Sequence, residues 1–549
     1  MRSGSPFPSS WAVTRRALLI GLLALSVRAA FVLDFSSQPL FDVNLVPGTD
    51  MEFLVEWARR IAGGDLFIRG TGPFWWAPLF PYALGAILAM AGPANLLGAA
   101  LVQAILGALT AVVVYLLGRK LFDDATGLLA GLLAGVYGPV IFYTGIFLST
   151  TLEVFLSVLI LYLVTIALAQ PTIPRWVGAG IVAGLGCLAR PNFLLGVLAL
   201  LAVLPLLLAR EDRRPDWSSV WRAGIAFALG VILMIAPATA RNRIEGGRWV
   251  LISAAGPETY RIANSFDSTP MNFVYPTQPP MPLTSYAFWR HQARKAVFFW
   301  WGLEVPQNVS YYLGREVSWV LRLPWFPFWL AVPLAALGLW TSRHHARALA
   351  HIYIFLGAYY LSVVAFFIIA RWRLPLIIPL LIFTAYGILS LYRTAVSRDW
   401  KPLGIRVAVV AVLIALVYPG NGPFVFAADR GQLGYILANR GLYDEAARDL
   451  SLAAGGLPNQ GALHRDLGLV LVRLGRLSEA RVALERAAAI LPDDPVVHRH
   501  LGRLLVKMGV DPDRARAHLT RFLALASDGE GAAEARAMLQ GLGQMGQAP

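Results

Sequence analysis

The chain has 549 residues, of which 57% are hydrophobic and only 14% are charged. Soluble globular proteins carry about 25% charged residues, so this composition excludes an ordinary soluble fold. The formal net charge is +15. Many Arg and Lys residues lie in short loops between apolar segments, where they set membrane topology, and no nucleic-acid motif is present. The single cysteine, Cys187, excludes a disulfide framework and a cysteine metal site.

Long apolar segments recur through the first three quarters of the chain. They predict a multi-span membrane protein, because a helix needs about 17–25 residues to cross a bilayer. The first segment has a basic lead like a signal peptide, but its long core favours an uncleaved span. The predicted spans are 14–34, 96–118, 126–145, 151–169, 176–190, 192–209, 222–240, 326–341, 348–370, 373–392 and 403–420.

The basic loops predict the orientation, since cytoplasmic loops carry an excess of Lys and Arg. A further apolar run, 76–90, is short and contains two prolines. If this run does not cross the membrane, the five segments rich in Arg and Lys all fall on the cytoplasmic side. We therefore expect a re-entrant or surface helix at 76–90. The segments 35–95 and 241–325 and everything after Tyr418 would then lie outside. The basic segments are the leader with Arg2, Arg15 and Arg16, then Arg119-Lys120, 210–222, 343–347 and 393–406.

A short acidic segment follows the first span. After Asp50, apolar residues recur at helical spacing until Gly63-Gly64, which predicts an amphipathic helix at the membrane surface. Asp50 and Glu52 would lie at its start. There they are either helix-capping groups at the positive helix end or functional carboxylates, and the segment alone leaves both open.

The loop 241–325 is long and rich in Pro and Trp, and such a loop in a compact protein is usually functional. Within it, residues 286–301 predict an amphipathic helix in which Trp289, Trp300 and Trp301 accompany basic residues. This helix is interpreted either as an interfacial aromatic anchor or as a lid over the site.

The composition becomes that of a soluble protein after residue 420, and a repeat appears there. Gly434, Gly468 and Gly502 are separated by 34 residues each, and several other positions repeat with the same step. This period resembles the tetratricopeptide repeat, in which paired helices stack into an α-solenoid. The third repeat departs by about one inserted residue near Asp513, which is typical of a cap. The predicted solenoid, 425–535, would bind a protein or peptide partner, or act as a spacer or oligomerisation module.

Ionisable groups at the predicted outer boundary indicate a pocket beside lipid, because charged groups at a bilayer edge usually face a cavity or a partner. Carboxylates suit general-base work on a hydroxyl or amine, and arginine forks suit a lipid phosphate. Each group alone is equally compatible with a capping or headgroup-anchoring role. The groups are Asp50, Glu52, Glu153, Arg190, Arg371 and Arg373.

Short motifs occur in a fixed order between about Val13 and Tyr418. They are Asp50-Met-Glu52 with Gly64-Asp65, Ala77–Tyr82, Gly118–Phe122, Leu148–Glu153, Leu188–Pro191, Arg241–Arg243, Glu304–Asn308 and Arg371–Pro375. In this order they resemble the GT-C membrane glycosyltransferases of the protein mannosyltransferase and aminoarabinose-transferase superfamily. The resemblance implies an all-α polytopic bundle of about 11–13 spans over 1–420. It also implies inverting sugar transfer from a polyprenyl phosphate to an acceptor outside the cytoplasmic membrane.

The resemblance also implies roles for individual residues. Asp50 matches the catalytic acidic residue of the family's first outer loop and would act as the base. The family's adjacent Asp-Glu pair is split here by Met51, which leaves Glu52 as the second acidic candidate. Glu153 matches the acidic residue of the second outer loop. The residues expected to bind the donor phosphate or complete the pocket are Arg371, Arg373, Arg190 and Glu304.

Other functions stay open at this point. A polysaccharide ligase or polymerase also works on lipid-linked sugars, and a non-catalytic scaffold could display the repeats. Internal repeats in the membrane half of the sequence would favour a lipid-sugar transporter, and none is visible. No His or Asp cluster has metal-ligand spacing, yet some members of the class use a divalent cation, so a metal stays open. The expected partners are a polyprenyl-phosphate-linked sugar, the lipid bilayer and a protein or peptide at the repeats, but not nucleic acid.

Overall fold

The computed structural model describes residues 10–43, 49–209, 216–270, 276–420, 426–528 and 530–545. These residues form helices and loops, with two isolated β-bridges and no β-strand among them, so the predicted all-α class is confirmed. The chain divides into two compact units. The membrane unit comprises Met1–Ser37 and Gly48–Gly422, and the repeat unit comprises Gln38–Pro47 and Pro423–Pro549.

The membrane unit contains eighteen α-helices among its described residues, and every predicted span coincides with one or two of them. The helices are α1 (Ser10–Ser36), α2 (Asp50–Ala62), α3 (Leu79–Ala91), α4 (Leu96–Leu121), α5 (Asp124–Gly135), α6 (Gly138–Thr144), α7 (Thr150–Ala169), α8 (Ile173–Ala189), α9 (Phe193–Leu208), α10 (Trp217–Gly246), α11 (Gly256–Ala263), α12 (Tyr286–Phe298), α13 (Tyr311–Val317), α14 (Trp319–Arg322), α15 (Phe328–Thr341), α16 (Ala350–Val364), α17 (Ala370–Val396) and α18 (Trp400–Val417).

Six described helices are long and apolar enough to cross a membrane: α1, α4, α7, α10, α17 and α18. Four further apolar helices at predicted spans, α8, α9, α15 and α16, have 14 to 17 residues. The chain is therefore a multi-pass membrane protein. Helix α3 has 13 residues, or about 20 Å at 1.5 Å per residue, which is shorter than the ~30 Å hydrocarbon core. This length agrees with a surface or re-entrant helix at 76–90, and its placement stays a prediction.

The predicted span 126–145 is not one straight helix. It is broken into α5 and α6, whose axes differ by 52°. The break frees backbone carbonyls, and the fully buried guanidinium of Arg28 donates to those of Ala134 (3.2 Å) and Gly135 (2.8 Å). A buried helix end needs such a partner, since an unpaired backbone group in an apolar interior is costly. Arg28 on α1 therefore stabilises a bend that the sequence pattern did not predict.

The predicted turn around Arg371 is also different. Helix α16 ends at Val364 and α17 begins at Ala370, so Arg371 and Arg373 lie in the first turns of a helix rather than between two spans. Pro375 lies inside α17. The extended segment before α17 is held by the backbone hydrogen bond from Ala370 N to the carbonyl oxygen of Val305 (2.9 Å). The arginines are therefore presented by a helix, which fixes their direction.

The predicted amphipathic helix in the long outer loop is present as α12. Its Lys295 is buried, and Nζ donates to Asn264 Oδ1 (2.9 Å) and to the carbonyl oxygen of Phe366 (2.6 Å). Burial lowers the pKa of Lys295 to about 7. These contacts hold α12 against the segment that follows α16, while Trp289 stays 63% exposed. Its role as an anchor or a lid stays a prediction.

The repeat unit contains three helical hairpins and a further helix. The first hairpin pairs α19 (Ala427–Asn439) with α20 (Tyr443–Gly456), and the second pairs α21 (Gly461–Arg473) with α22 (Leu477–Ile490). The third pairs α23 (Pro495–Met508) with α24 (Pro512–Leu525), and α25 (Glu530–Met545) follows. The tetratricopeptide-type solenoid is therefore confirmed.

The repeating glycines are explained by close packing inside each hairpin. A Cβ at Gly434 or Gly468 would lie 2.6 Å from the leucine of the second helix, Leu450 or Leu484. The third hairpin makes the same contact with Leu519, one residue later than a strict 34-residue step. The inserted residue that the sequence indicated is thus accommodated in the loop before α24, where Asp511 adopts a φ of +48°.

Candidate active site

Asp50 is the first residue of α2, and Thr49 is the N-cap. The Asp50 carboxylate is bound by three side chains from distant parts of the membrane unit. Arg371 Nη2 donates to Oδ2 (2.7 Å), Asn308 Nδ2 donates to the same oxygen (3.1 Å), and Trp76 Nε1 donates to Oδ1 (3.2 Å). The side chain is still 26% exposed. Asp50 therefore does not act mainly as a helix cap, and its carboxylate is both oriented and accessible.

Asn308 holds both the side chain and the backbone of Asp50, because its Oδ1 accepts from the Asp50 backbone N (3.0 Å). Its φ is +66°, in the left-handed region that non-glycine residues seldom adopt. Backbone strain of this kind persists only where the surroundings enforce it, and it clusters at functional sites. The neighbouring Gln307 Oε1 accepts from Arg371 Nε (3.0 Å) and Nη2 (2.8 Å). Gln307 and Asn308 belong to the motif Glu304–Asn308, but no role for either residue was predicted from the sequence.

Trp76 is the other partner that sequence reasoning missed. Its indole lies against Phe53 (ring centroids 4.9 Å apart, stacked) and Trp57 (5.4 Å, edge to face), both on α2. The aromatic side chains of α2 thus support the Trp76 indole, which donates a hydrogen bond to Asp50 at the start of the same helix. The run of aromatic residues around position 76 was the available sequence signal, but it also suited a membrane anchor.

The end of α10 fixes the loop that carries Trp76. Arg241 donates to the carbonyl oxygens of Phe67 (2.6 and 2.8 Å) and Ile68 (2.9 Å), and its guanidinium lies 4.1 Å from the centroid of the Phe74 ring. Asn242 Oδ1 accepts from the backbone N of Phe74 (2.8 Å). We refer to Arg241 and Asn242 as the α10 latch. The latch explains why an Arg-Asn pair follows an apolar span in this sequence.

Glu153 and Arg190 form a second pair. Arg190 Nε and Nη2 donate to the two Glu153 carboxylate oxygens (2.6 and 2.9 Å), and the Ser149 hydroxyl donates to the same carboxylate. Glu153 is fully buried, and the Arg190 guanidinium lies 5.0 Å from the centroid of the Trp372 ring, next in sequence to Arg371. The structure therefore brings these predicted residues beside the Asp50–Arg371 pair, but their charges are already satisfied by each other.

Arg373 and Glu304 form a third pair, which is almost fully buried. Arg373 Nη2 donates to Glu304 Oε2 (2.9 Å) and to the carbonyl oxygen of Leu303 (2.6 Å), and Nη1 donates to those of Phe299 (3.0 Å) and Trp301 (2.7 Å). Burial raises the pKa of Glu304, and the Arg373 charge opposes that rise. Both terminal nitrogens of Arg373 thus hold the loop before Asn308, and its predicted role as a ligand of the donor phosphate stays a prediction.

Glu52 lies half-buried in the first turn of α2, two residues after Asp50. A carboxylate at this position is favourable at the positive end of a helix. The catalytic role of Glu52 stays a prediction.

The carboxylates of the site do not suit a divalent cation. Asp50, Glu153 and Glu304 each face an arginine rather than one another, and no group of three or more His, Cys, Asp or Glu side chains lies together within the described residues. Mg²⁺ and Ca²⁺ need several oxygen ligands, so an ion at Asp50 would have to displace Arg371. The chemistry proposed below uses no metal.

An apolar groove opens between α9 and α10. Its cavity volume is about 500 Å³. The groove ends at the segment around Trp249 and Leu251, which Asn242 of the latch holds through the carbonyl oxygens of Val250 (2.9 Å) and Ile252 (3.0 Å). The same Asn242 binds the loop that carries Trp76, so one side chain holds both the groove lining and this loop of the Asp50 site. Its lining includes Leu194, Leu198, Ile232, Ile235, Trp249 and Leu251.

Comparisons with known proteins agree with this architecture. Residues 75–239 match the family of dolichyl-phosphate-mannose-protein mannosyltransferases, and residues 437–504 match the tetratricopeptide repeat. The chain therefore carries a glycosyltransferase domain of the mannosyltransferase family and tetratricopeptide repeats. The matched range includes Trp76, Glu153 and Arg190 of the site but ends before Asn308 and Arg371. No curated protein matches the chain.

Solved structures similar to the chain include two structures of oligosaccharyltransferase from Archaeoglobus fulgidus and one of a repeat protein. The apo archaeal enzyme has 13% identity and a TM-score of 0.44, with 74% of this chain and 55% of that chain covered. The archaeal AglB complex with an inhibitory peptide and dolichol-phosphate has 14% identity and a TM-score of 0.44, with 79% and 60% covered. The Cut9–Hcn1 assembly has 12% identity and a TM-score of 0.23, with 94% and 98% covered. The chain thus spans less than two thirds of the length of the archaeal enzymes.

Proposed function

We propose that this mannosyltransferase-family protein transfers a sugar, with inversion, from a polyprenyl-phosphate donor to an acceptor at the outer face of the cytoplasmic membrane. The observation that carries the proposal is the Asp50 carboxylate, which three side chains orient while a quarter of it stays exposed. A carboxylate held in this way suits a general base. The paired guanidinium of Arg371 suits a phosphate, because its planar fork can bind two oxygens.

The reaction is a single displacement. Asp50 accepts the proton of the acceptor hydroxyl or amine as the acceptor atom forms its bond to the anomeric carbon. The bond between that carbon and the phosphate oxygen breaks, and the electron pair leaves with the polyprenyl phosphate. The phosphate is already a good leaving group, so no acid needs to protonate it. Arg371 stabilises the negative charge that develops on it.

The Asp50–Arg371 pair links donor binding to base activation in this proposal. Before the donor binds, Arg371 Nη2 is engaged by Asp50 Oδ2 at 2.7 Å. A donor phosphate that binds Arg371 competes with this contact and removes one of the two hydrogen bonds on Oδ2, which leaves that oxygen able to accept the proton of the acceptor. Asn308 and Trp76 keep the carboxylate in place meanwhile, because each of them contacts it independently.

The apolar groove between α9 and α10 is the proposed site for the hydrocarbon chain of the donor. Its lining is mostly aliphatic and includes the Trp249 indole. Asn242 hydrogen-bonds both to the segment around Trp249 and to the loop that carries Trp76. A prenyl chain buried there would place the phosphate near the Asp50 site. The Glu153–Arg190 and Glu304–Arg373 pairs are proposed to position Trp372 and the 299–308 loop around it.

A transfer assay with a panel of sugars linked to polyprenyl phosphate tests this function. The purified protein should consume at least one donor, and nuclear magnetic resonance of the product should show the anomeric configuration opposite to that of the donor. Sealed spheroplasts with a membrane-impermeant acceptor should give the same product if the site faces outside. Retention of configuration, or extension of a growing polymer without transfer to a separate acceptor, would contradict the proposal.

A further inference from the structure

The first helices of the repeat hairpins carry a row of positive side chains. The 34-residue step makes Arg465 equivalent to Arg499 and Arg473 equivalent to Lys507. Within α23, positions 499, 503 and 507 are four residues apart and so lie on one helix face. On α21, positions 465 and 473 are eight residues apart, which is two steps of the same spacing. We call Arg465, Arg473, Arg499, Arg503 and Lys507 the basic row.

The basic row is a local asymmetry rather than a reflection of overall charge. Residues 423–549 contain 15 Arg and Lys and 14 Asp and Glu, so this part of the chain is nearly neutral. The three equivalent sets of positions along the row, 431/465/499, 435/469/503 and 439/473/507, contain no acidic residue. At the positions equivalent to Arg503, the first two hairpins have Tyr435, which is 38% exposed, and the half-buried Leu469. The face therefore combines cations with apolar contact surface.

The structure shows that a carboxylate fits between cations of the row. Glu534 of α25 forms ion pairs with Arg499 (3.5 Å) and Arg503 (3.2 Å) at once. Arg473 and Lys507 are exposed and have no ion-pair partner among the described residues. The pKa of the nearby His500 is lowered to about 4, first by burial and then by the charges of Arg499 and Arg503. Arg465 is already paired with Asp466 (2.9 Å) and Asp494 (3.0 Å), so Arg473 and Lys507 are the two cations of the row that are open to a ligand among the described residues.

We propose that the basic row binds an extended acidic segment of a partner protein. The first helices of neighbouring hairpins contact one another, as where Leu463 of α21 fills the space at Gly431 of α19, so the row crosses consecutive repeats. A stack of this kind presents a long groove, which suits an extended chain better than a flat lipid surface. Alternating acidic and apolar side chains would match the cations and the Tyr435–Leu469 surface. This inference concerns the repeat unit and does not depend on the proposed transfer reaction.

The test is a binding measurement on the full chain in phosphatidylcholine nanodiscs. The probe is a short fluorescein-labelled peptide in which Glu alternates with Leu, and the reference is the same peptide with Gln for Glu. We expect the Glu peptide to bind, the Gln peptide to bind at least about tenfold more weakly, and affinity to fall as salt rises. The double variant Arg473→Glu and Lys507→Glu should weaken the Glu peptide about tenfold, and the milder Arg473→Gln and Lys507→Gln about threefold.

A matched control reverses the same number of charges elsewhere on the repeat unit. Arg448 and Arg486 are exposed on the second helices α20 and α22, outside the row. The double variant Arg448→Glu and Arg486→Glu should leave peptide affinity within about twofold of the original. An equal loss in both double variants, or equal binding of the two peptides, would overturn the proposal. Loss of peptide binding when the nanodisc lipid is changed to phosphatidylglycerol would also overturn it, because the row would then belong to anionic lipid.

Discussion

At the scale of single residues, the site consists of three carboxylate–arginine pairs that differ in burial. Glu153 and Glu304 are buried with their arginines, whereas the Asp50 side chain is 26% exposed beside an Arg371 that is 8% exposed. Breaking a buried pair leaves an uncompensated charge and costs about 3–5 kcal/mol, so the inner pairs are suited to a structural role. The outer pair can exchange partners at lower cost. This difference in burial is the reason for assigning the chemistry to Asp50 and Arg371.

Asn308 should matter for turnover more than for folding. In Asn308→Gly the φ of +66° becomes unstrained while both side-chain contacts to Asp50 are lost. We expect this variant to fold at least as stably as the original and to lose about tenfold or more in kcat. Asn308→Ala should lose a similar factor and also about 1 kcal/mol of stability, because it loses the same two contacts and the strained φ is not relieved. Paired thermal melts and turnover measurements check both; full activity in the glycine variant would remove Asn308 from the site.

Arg371 should bind the donor phosphate through its fork. Arg371→Lys keeps the charge but loses the planar arrangement that serves Gln307 and Asp50 together. We expect donor affinity to fall about tenfold, as measured by titration with a non-transferable donor analogue. Arg343→Lys is the matched control, because Arg343 is exposed in the loop between α15 and α16. If both variants bind the analogue equally well, the phosphate lies elsewhere.

At the scale of elements, helix ends do most of the positioning. The end of α10 holds the Trp76 loop, the beginning of α17 presents Arg371, and the beginning of α2 presents Asp50. At each of these ends an apolar or amphipathic helix meets a loop, and all three ends contribute to the Asp50 site. Rigid helices thus deliver the reactive groups, while loops of the outer segments supply the hydrogen bonds between them.

The α10 latch gives a test at this scale. Arg241→Lys removes the guanidinium fork that donates to the carbonyl oxygens of Phe67 and Ile68. Because these hydrogen bonds are lost, residues 65–76 should be held less firmly. We expect hydrogen exchange of the 65–76 backbone to accelerate about tenfold or more, with a matching fall in kcat, while exchange in α4 stays unchanged. Arg243→Lys is the control, because Arg243 contacts its own helix cap instead. Unchanged exchange in 65–76 would show that the latch is dispensable.

Much of the fold was accessible from the sequence because apolar length and the 34-residue period are strong local signals. Every predicted span contains helix, and the repeat hairpins follow the glycine spacing. The bend between α5 and α6 was missed because its partner, Arg28, lies more than 100 residues away in the chain. The α17 start was predicted at 373 and lies at Ala370, because the charged Arg371 interrupts the apolar run from which the span was predicted.

The site was accessible only in part, for the same physical reason. Ionisable residues at span ends stand out in an apolar sequence, which is how Asp50, Glu153, Arg190, Arg371 and Arg373 were found. The pairing among them was not predictable, because it depends on which distant helix ends meet. Asn308 and Trp76 carry no charge and gave no comparable signal. Their roles depend on contacts with Asp50 across 258 and 26 residues of sequence.

At the scale of the whole molecule, the repeat unit is expected to recruit a partner rather than to take part in the chemical step. Its helices begin nine residues after α18 ends, at Ala427. The unit also includes Gln38–Pro47, the segment that precedes α2, where Asp42 lies 3.7 Å from Arg440. Removal of the repeats therefore takes away a contact of the segment that leads to Asp50 as well as the basic row.

Truncation after Tyr418 separates these effects. We expect the truncated protein to transfer sugar to a small soluble acceptor, or to hydrolyse the donor slowly, within about tenfold of the full chain, and to lose its natural acceptor. The full chain with Asp42→Ala is the control, because it removes the Asp42–Arg440 contact and keeps the repeats. Loss of transfer to the small acceptor in the truncated protein, with normal transfer by the control, would place the repeats in the chemical step.

The most direct test of the account is single-turnover transfer by Asp50→Asn. Asn has nearly the same shape and can still accept from Trp76 and pair with Asn308, so folding and donor binding should be preserved. Without a carboxylate to take the acceptor proton, the rate should fall about 10²-fold or more. Glu56→Gln, an exposed carboxylate two turns along the same helix, should keep the original rate. A rate in Asp50→Asn that stays close to that of Glu56→Gln would contradict the assignment of Asp50 as the base.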